Sequence, residues 1–260
     1  MSREGLVSVV IPCYNQGKYL AETVQSVLAS TYRPLEILIV NDGSTDSSLE
    51  TALDLEKQNP EISVIDQANA GVAKARNTGI QAARGGILLP LDGDDKISPD
   101  YIAQGVSVLH QDPGVKVVYC RAVKFSEARQ KPWKLKPFSL RALARDNMIF
   151  VAALFRKADA LAVGGFSEDM HMGREDWEFW IKMLKNGGEV VQLPFVGFYY
   201  RMTPDSKRKK TGTGRKKRER IDYLNAKHMD FFERELRGPL RFQRSWSRRY
   251  NTLLKWLGKG

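Results

Sequence analysis

Short apolar runs that alternate with amphipathic stretches fill the first 120 residues, and this pattern restricts the fold more than any other feature. Residues 6–11, 35–40, 62–65, 86–91 and 115–119 are rich in Val, Ile and Leu and carry almost no charge. Between them, apolar residues fall at helical spacing, as in Tyr19, Leu20, Val24, Val27 and Leu28. Helices are predicted over 17–30, from the turn at 41–46 to about 58, over 72–83, and from 98 to 110 with Ser98 as cap and Pro99 in the first turn. Strands apolar on both faces and separated by helices predict an α/β domain with a mostly parallel sheet covered on both sides. Ligands of such sheets bind outside the carboxyl ends of the strands. Polar residues stand at those ends: Tyr14 and Asn15, Asn41 and Asp42, Gln67 and Asn69, and the acidic stretch 92–95.

After residue 125 the alternation stops. Residues 131–138 read as a loop, 164–173 as a Gly-punctuated loop, 174–186 as a short buried helix and 190–200 as one or two strands. A chain of 260 residues with 42% apolar content buries enough surface to fold without staples. Cys13 and Cys120 are too few for a disulfide scaffold, which favours a reducing compartment. The apolar stretch at 6–11 is too short for a secretory signal, and no uncharged run is long enough for a membrane span, so a cytoplasmic protein is expected.

The net charge is +11, but residues 207–260 hold 18 Lys or Arg against 5 Asp or Glu. The remainder of the chain is therefore slightly acidic. Any inference from basicity to an anionic partner applies to the tail alone.

Four segments carry chemistry. In Asp92-Gly-Asp-Asp95 the carboxylates repel one another unless a cation or good solvation relieves them. A divalent metal that also bridges a diphosphate satisfies that requirement, and a solvated turn is the plain alternative. Asn41-Asp-Gly-Ser-Thr-Asp46 is an Asx-type turn or a binding loop. Asn69-Ala-Gly-Val-Ala-Lys-Ala-Arg-Asn-Thr-Gly79 places Arg76 in the first turns of a helix, within reach of a phosphate or an aspartate. Arg174-Glu-Asp-Trp177 sets two carboxylates at a helix start, where they serve the helix or act as a general base in a partly apolar wall. A dinucleotide fingerprint is missing after the first strand, residues 211–217 lack phosphate-loop spacing, and the three histidines are scattered; His171 lies near Glu175 and Asp176 as a conceivable contact.

Taken in order, Val9-Val-Ile-Pro-Cys-Tyr-Asn15, Val40-Asn-Asp-Gly-Ser-Thr-Asp46, the 69–79 segment, Leu91-Asp-Gly-Asp-Asp95 and Gly173-Arg-Glu-Asp-Trp177 resemble the family 2 glycosyltransferases of GT-A fold, over about residues 5–203. The resemblance implies a Rossmann-like GT-A domain at 1–206, with about 1–112 binding a nucleotide-diphospho-sugar and 113–206 the acceptor, followed by a basic helical extension at 207–260. It implies that Pro12 and Tyr14 line the nucleobase, Asp42 meets base or ribose, and Arg76 lies near base or diphosphate. Asp92 and Asp94 match the Asp-x-Asp motif, with Asp94 the direct ligand of Mg or Mn and Asp95 a substitute or support. Asp176, or else Glu175, matches the catalytic base of an inverting transfer. A metal-binding histidine of some members is replaced here by Thr203, so Arg201 is expected to assist the diphosphate, with Ser206 nearby. The expected donor is a UDP-sugar, and the acceptor a glycan, lipid-linked or other hydroxyl compound. The competing readings are a nucleotide-sugar-binding protein without turnover and a nucleic-acid binder acting through its tail; the second is disfavoured.

In the tail, Ile221, Leu224, His228, Phe231 and Phe232 predict one helix, and Phe242, Trp246, Tyr250, Leu253 and Leu257 another, with Trp256 near its end. The second carries Arg241, Arg244, Arg248, Arg249 and Lys255. Such a helix fits membrane-surface contact through 238–260, which would make the protein peripheral at the cytoplasmic membrane face. The alternatives are packing on the catalytic domain or on a second subunit in a homo-oligomer.

Overall fold

The computed structural model describes residues 3–203 and 213–258. Ser206 and the stretch 204–212, which includes part of the basic run, lie outside the described residues. The chain forms two compact units, one of residues 1–134, 150–168 and 188–203, the other of 135–149, 169–187 and 204–260.

The first unit is built on a mixed sheet. Its parallel core is β1 (Arg3–Cys13), β2 (Leu35–Asp42), β3 (Ile62–Gln67) and β4 (Gly85–Pro90), in the spatial order β3-β2-β1-β4. Every residue of β2 is buried, whereas the edge strand β3 is only partly covered. This is the outcome expected from apolar runs without alternation. The crossovers are α1 (Gly17–Leu28), α2 (Ser48–Gln58) and α3 (Val72–Ala82). Helix α1 buries Leu20, Val24 and Val27 of the expected stripe, together with Thr23, while Tyr19 and Leu28 are only partly covered. Helix α3 comes so close to β1 that a Cβ on Gly79 would stand 2.3 Å from Val10 Cγ1, so only glycine fits there. Because β2 and β4 flank β1 on opposite sides, the chain reverses its direction of growth at β1, and the carboxyl ends of β1 and β4 form the switch point where ligands bind.

The sheet continues through the two-residue β5 (Lys96–Ile97), β6 (Val115–Phe125), β7 (Gln130–Trp133), β8 (Leu154–Arg156) and β9 (Glu189–Arg201). Strand β8 runs antiparallel between β4 and β6, β9 is parallel to β6, and β5 pairs antiparallel with the last residues of β9. Helices α4 (Tyr101–Gln111) and α6 (Lys157–Ala162) belong to the same unit. Two local expectations change. Residues 130–133 form a strand because they pair with 122–125 as a hairpin, in spite of Pro132. The residue preceding α4 is Asp100 and not Ser98, whose hydroxyl is buried without a hydrogen-bond partner; Tyr101 N–H bonds the Ser98 carbonyl instead.

The second unit is helical: α5 (Leu140–Leu143), α7 (Glu175–Leu184), α8 (Gly214–Leu236) and α9 (Ser247–Trp256), preceded by a 3₁₀ turn at Arg244–Trp246. Helix α7 buries Trp177, Phe179 and Trp180, whose indole N–H groups are satisfied by the carbonyls of Leu143 and Ile149. Helix α8 buries Ile221, Leu224, Phe231 and Phe232 and kinks at His228, whose Nε2 lies 3.0 Å from Glu178 Oε1.

Buried Glu36 ties the parallel core together. It accepts hydrogen bonds from Ser8 Oγ at 2.6 Å, Arg84 N–H at 2.6 Å, Arg84 Nε at 2.7 Å and Gly85 N–H at 3.2 Å. Burial raises its pKa, but these donors outweigh burial and hold it below the usual 4.5. Arg84 is mostly in solvent, so its ionic share is small. A depressed carboxylate stabilises the fold fully above its ordinary pKa and loses that contribution as the pH falls through the folded value. Glu36→Gln should therefore cost about 1–3 kcal/mol in urea unfolding at neutral pH, and the gap from wild type should close as the pH falls below 4.5.

Candidate active site

The first unit assembles its site from the loops after β1, β2, β3 and β4. Pro12 is buried in β1, opposite Val40, and Tyr14 just beyond the strand is half exposed. Asn15 has a left-handed backbone, φ 54°, and its Oδ1 accepts Thr45 N–H while its own N–H bonds Ser44 Oγ. Asp46 accepts the N–H of Gly17 at the start of α1. These bonds lock the first two loops together, a role that the sequence pattern of 41–46 as a local turn did not reveal.

Asp42 is 3% exposed. Its carboxylate accepts Gln67 Nε2 at 2.8 Å, Ala70 N–H at 2.9 Å and Gly71 N–H at 2.9 Å. Two of these donors are backbone groups at the amino end of α3, where unsatisfied N–H groups favour an anion. Asn69 Nδ2 bonds the Asp42 carbonyl as well. Asp42 thus shapes the 67–71 loop whatever else it touches.

Arg76 is buried, with its guanidinium 2.6 Å from Asp92 Oδ1 and 5.2 Å from the centre of the Phe166 ring. Neighbouring Asn77 fixes that ring by exchanging hydrogen bonds with Phe166 N–H and carbonyl. Nothing in the local sequence around 166 announced this partnership, which joins segments 89 residues apart.

Asp94 and Asp95 close the group. Burial, and then the charge of Asp92, push the Asp94 carboxyl up to about 6, with Arg201 pulling the other way. Asp95 is 1% exposed and accepts Arg201 N–H at 2.8 Å; burial raises its pKa further, followed by the charges of Asp94 and Asp92. The Arg201 side chain donates from Nε to the Asp94 carbonyl at 2.7 Å and from Nη2 to Glu22 at 2.5 Å. It lies between the rings of Tyr19 and Phe125, at 4.6 and 4.5 Å. The guanidinium therefore holds the acidic loop against the end of β9. Glu22, which also accepts Lys96 at 2.5 Å, is a member of this group that sequence reasoning missed.

The donor set suits a hard divalent cation. Oxygen ligands are the ones Mg and Mn take, and the Asp94 carboxyl, raised first by desolvation and then by the charge of Asp92, would be relieved by a nearby cation. No group of three or more Asp, Glu, His or Cys side chains able to hold a metal occurs among the described residues.

In the second unit, Asp176 sits in the first turn of α7. Its Oδ2 accepts Asn147 Nδ2 at 2.7 Å and its Oδ1 the Trp177 N–H at 2.9 Å. Glu175, beside it, is buried. The surroundings are more cationic than the apolar wall expected. Arg174 and Arg244 both reach Asp146 Oδ1, at 2.5 and 2.7 Å, and lie over Trp177. Arg220 is lowered to about 10 by burial first and then by Arg174 and Arg244, with Asp176 and Asp146 offsetting part of the effect.

The mixed sheet, with its parallel core and switch point, matches the fold of GT-A transferases. The model of glycosyl transferase family 2 matches residues 8–178, and the chain belongs to that family. It is 31% identical to the uncharacterized glycosyltransferase EpsJ of Bacillus subtilis over 77% of its own length and 62% of that protein's. It is 36% identical to the hyaluronan synthase of Pasteurella multocida over 46% of its length and 12% of the synthase. The chain thus spans less than two thirds of these relatives. Among solved structures, Staphylococcus aureus TarS 1-349 in complex with UDP-GlcNAc superimposes with a TM-score of 0.71 at 19% identity, over 95% of this chain and 71% of that one. The mannosyltransferase PcManGT of Pyrobaculum calidifontis, in complex with GDP-Man and Mn2+, gives 0.65 at 21% identity, over 99% and 76%. At these identities the likeness shows the fold.

The Asp42 hub yields a test that needs no ligand. Asp42→Ala leaves the Ala70 and Gly71 N–H groups without their acceptor and should cost about 2–4 kcal/mol of stability. Hydrogen exchange at those two amides should accelerate at least tenfold, on the order of the loss of one such bond.

Proposed function

We propose that the protein is a metal-dependent, inverting glycosyltransferase that moves a sugar from a nucleotide-diphospho-sugar to an acceptor hydroxyl. The observation that carries the reading is the acidic loop 92–95, held from one side by Arg76 and from the other by Arg201. Such an arrangement keeps three carboxylates close together, Asp95 buried and Asp92 and Asp94 partly so, and a bound cation would relieve the repulsion that remains. Support comes from the structural neighbours, which are complexes with UDP-GlcNAc, UDP, or GDP-Man and Mn2+. Relatives named as hyaluronan and chondroitin synthases favour an acceptor in polysaccharide or other glycoconjugate synthesis.

In this reading Pro12, Tyr14 and Asp42 receive the nucleoside, with a UDP-sugar as the first donor to try. Arg76 and Asp92 lie toward the diphosphate. Asp94 and Asp92 would hold Mg or Mn, and Asp95 supports them by its bond to Arg201 N–H. The chemistry that a bound cation supplies is neutralisation of the charge that grows on the departing diphosphate. Arg201 acts on the diphosphate through the position it gives to the 94–95 backbone. Asp176 takes the proton of the acceptor hydroxyl as the new bond to the anomeric carbon forms and the nucleoside diphosphate leaves. Its two hydrogen bonds, from Asn147 and Trp177 N–H, orient the carboxylate for that transfer. Residues 1–206 form the transferase portion, about 1–112 for the donor and 113–206 for the acceptor. The basic remainder bears on location, which we read as cytoplasmic and peripheral to a membrane; no described helix is long and apolar enough to cross one.

A thermal-shift panel of nucleotide diphosphates and their sugars, with and without Mn, tests donor and metal. At least one nucleotide sugar should raise the melting temperature in the presence of Mn, and Asp94→Asn should remove that increment. Asp176→Asn should keep the increment while transfer falls by about 10²–10⁴-fold, the usual worth of a general base. A panel without any stabilising nucleotide sugar would overturn the donor assignment, and wild-type transfer by Asp176→Asn would overturn the base.

A further inference from the structure

Helix α9 is amphipathic in the reverse sense. Its two buried residues, Ser247 and Asn251, are polar, and they face the turn that links it to α8. Asn251 donates from Nδ2 to the carbonyls of Leu236 and Pro239 and accepts Arg241 Nε, while Ser247 Oγ accepts Arg241 N–H. The apolar side is left outward: Trp246 is 60% exposed, Tyr250 51%, Leu253 49%, Trp256 81% and Leu257 50%. Positions 246, 250, 253 and 257 fall on one helical face, with 256 beside it. The contrast with α8 is direct, because α8 buries its apolar residues in the ordinary way. A patch of this kind on a folded surface marks an interaction site.

The charges around the patch indicate what covers it. Residues 241–257 include five Arg or Lys and no Asp or Glu. Arg249 lies 5.4 Å from the Trp246 ring and Arg241 5.3 Å from that of Tyr250, so cations border the aromatic face. Arg248 is held below its usual pKa chiefly by the charge of Arg141, with smaller contributions from desolvation, Arg237 and Arg145, which extends the basic rim onto α5 and the end of α8. Indole and phenol rings, two leucines and a cationic border match the interface of a negatively charged bilayer, where aromatics sit at headgroup depth and Arg and Lys meet lipid phosphates. A nucleic acid would meet the cations but leave Leu253 and Leu257 in water.

We propose that α9 is an interfacial helix that seats the protein on a bilayer containing anionic lipid, with Trp246, Tyr250, Leu253, Trp256 and Leu257 among the headgroups and Arg248 and Arg249 at the phosphates, while Lys255 stays paired with Glu233. This membrane contact does not depend on the donor and base assignments. Co-sedimentation of the full chain with vesicles tests it, using phosphatidylcholine alone and phosphatidylcholine mixed with phosphatidylglycerol. Wild type should bind the mixed vesicles at least about tenfold more tightly than the neutral ones, less so at high salt, with a blue shift of tryptophan emission. The combined variant Trp246→Ser, Leu253→Ser and Trp256→Ser alters only outward side chains and should keep the wild-type melting temperature while losing at least about tenfold in binding. Arg248→Glu with Arg249→Glu should abolish the preference for anionic vesicles. The proposal is overturned if wild type stays in the supernatant with both vesicle types, or if the triple variant binds as wild type does. It is also overturned if light scattering finds a dimer that the triple variant dissociates and vesicles bind neither form; the patch would then be covered by a second copy.

Discussion

The acidic loop at the end of β4 exists in its observed form because Arg201 holds it. One residue supplies a backbone N–H to Asp95, a side-chain N–H to the Asp94 carbonyl and a cation to Glu22. Three acidic side chains within four positions would otherwise spread apart in solvent, since each gains by moving away from the others. The rings of Tyr19 and Phe125 fix the guanidinium, so the loop inherits the rigidity of α1 and of the β6–β9 pair. A ligand approaching the carboxyl ends of β1 and β4 thus meets carboxylates set in advance, which reduces the cost of ordering them at the moment of binding.

Asp42 plays the corresponding part on the other side of β1. Its carboxylate replaces water at the amino end of α3 and joins the loops after β2 and β3. Arg76 then projects from α3 to Asp92, so an ion pair links the two anchored regions. In this unit the groups proposed to meet the donor are also the groups that hold the loops in shape. Loss of activity in a variant at Asp42 or Arg76 therefore has to be separated from loss of structure by measuring both.

Much of this was legible in the residues. The runs at 35–40 and 62–65 became strands with nearly the expected bounds, because uninterrupted Val, Ile and Leu between turn residues leave few other options. The motifs at 92–95 and 174–177 fell at a strand end and a helix start, as their spacing implied. The partners were not legible. Glu22, Asn77, Phe166 and Asn147 are separated in sequence from what they hold by 29 to 179 residues, and single-chain patterns carry no trace of such pairings. Strand β7 was hidden by Pro132, and the polar attachment of α9 through Ser247 and Asn251 by its dependence on partners in the preceding turn.

The clamp on the acidic loop also has a consequence for when the site comes into being. Asp94 and its partner Arg201 are 107 residues apart, so at ordinary translation rates of 5–20 residues per second the loop leaves the ribosome about 5 to 20 s before the residue that shapes it. During that interval β1 to β4 can pair, yet the carboxylates after β4 have no fixed arrangement. The nascent chain thus carries the acidic loop without its clamp, and the loop takes its observed form only when the end of β9 arrives.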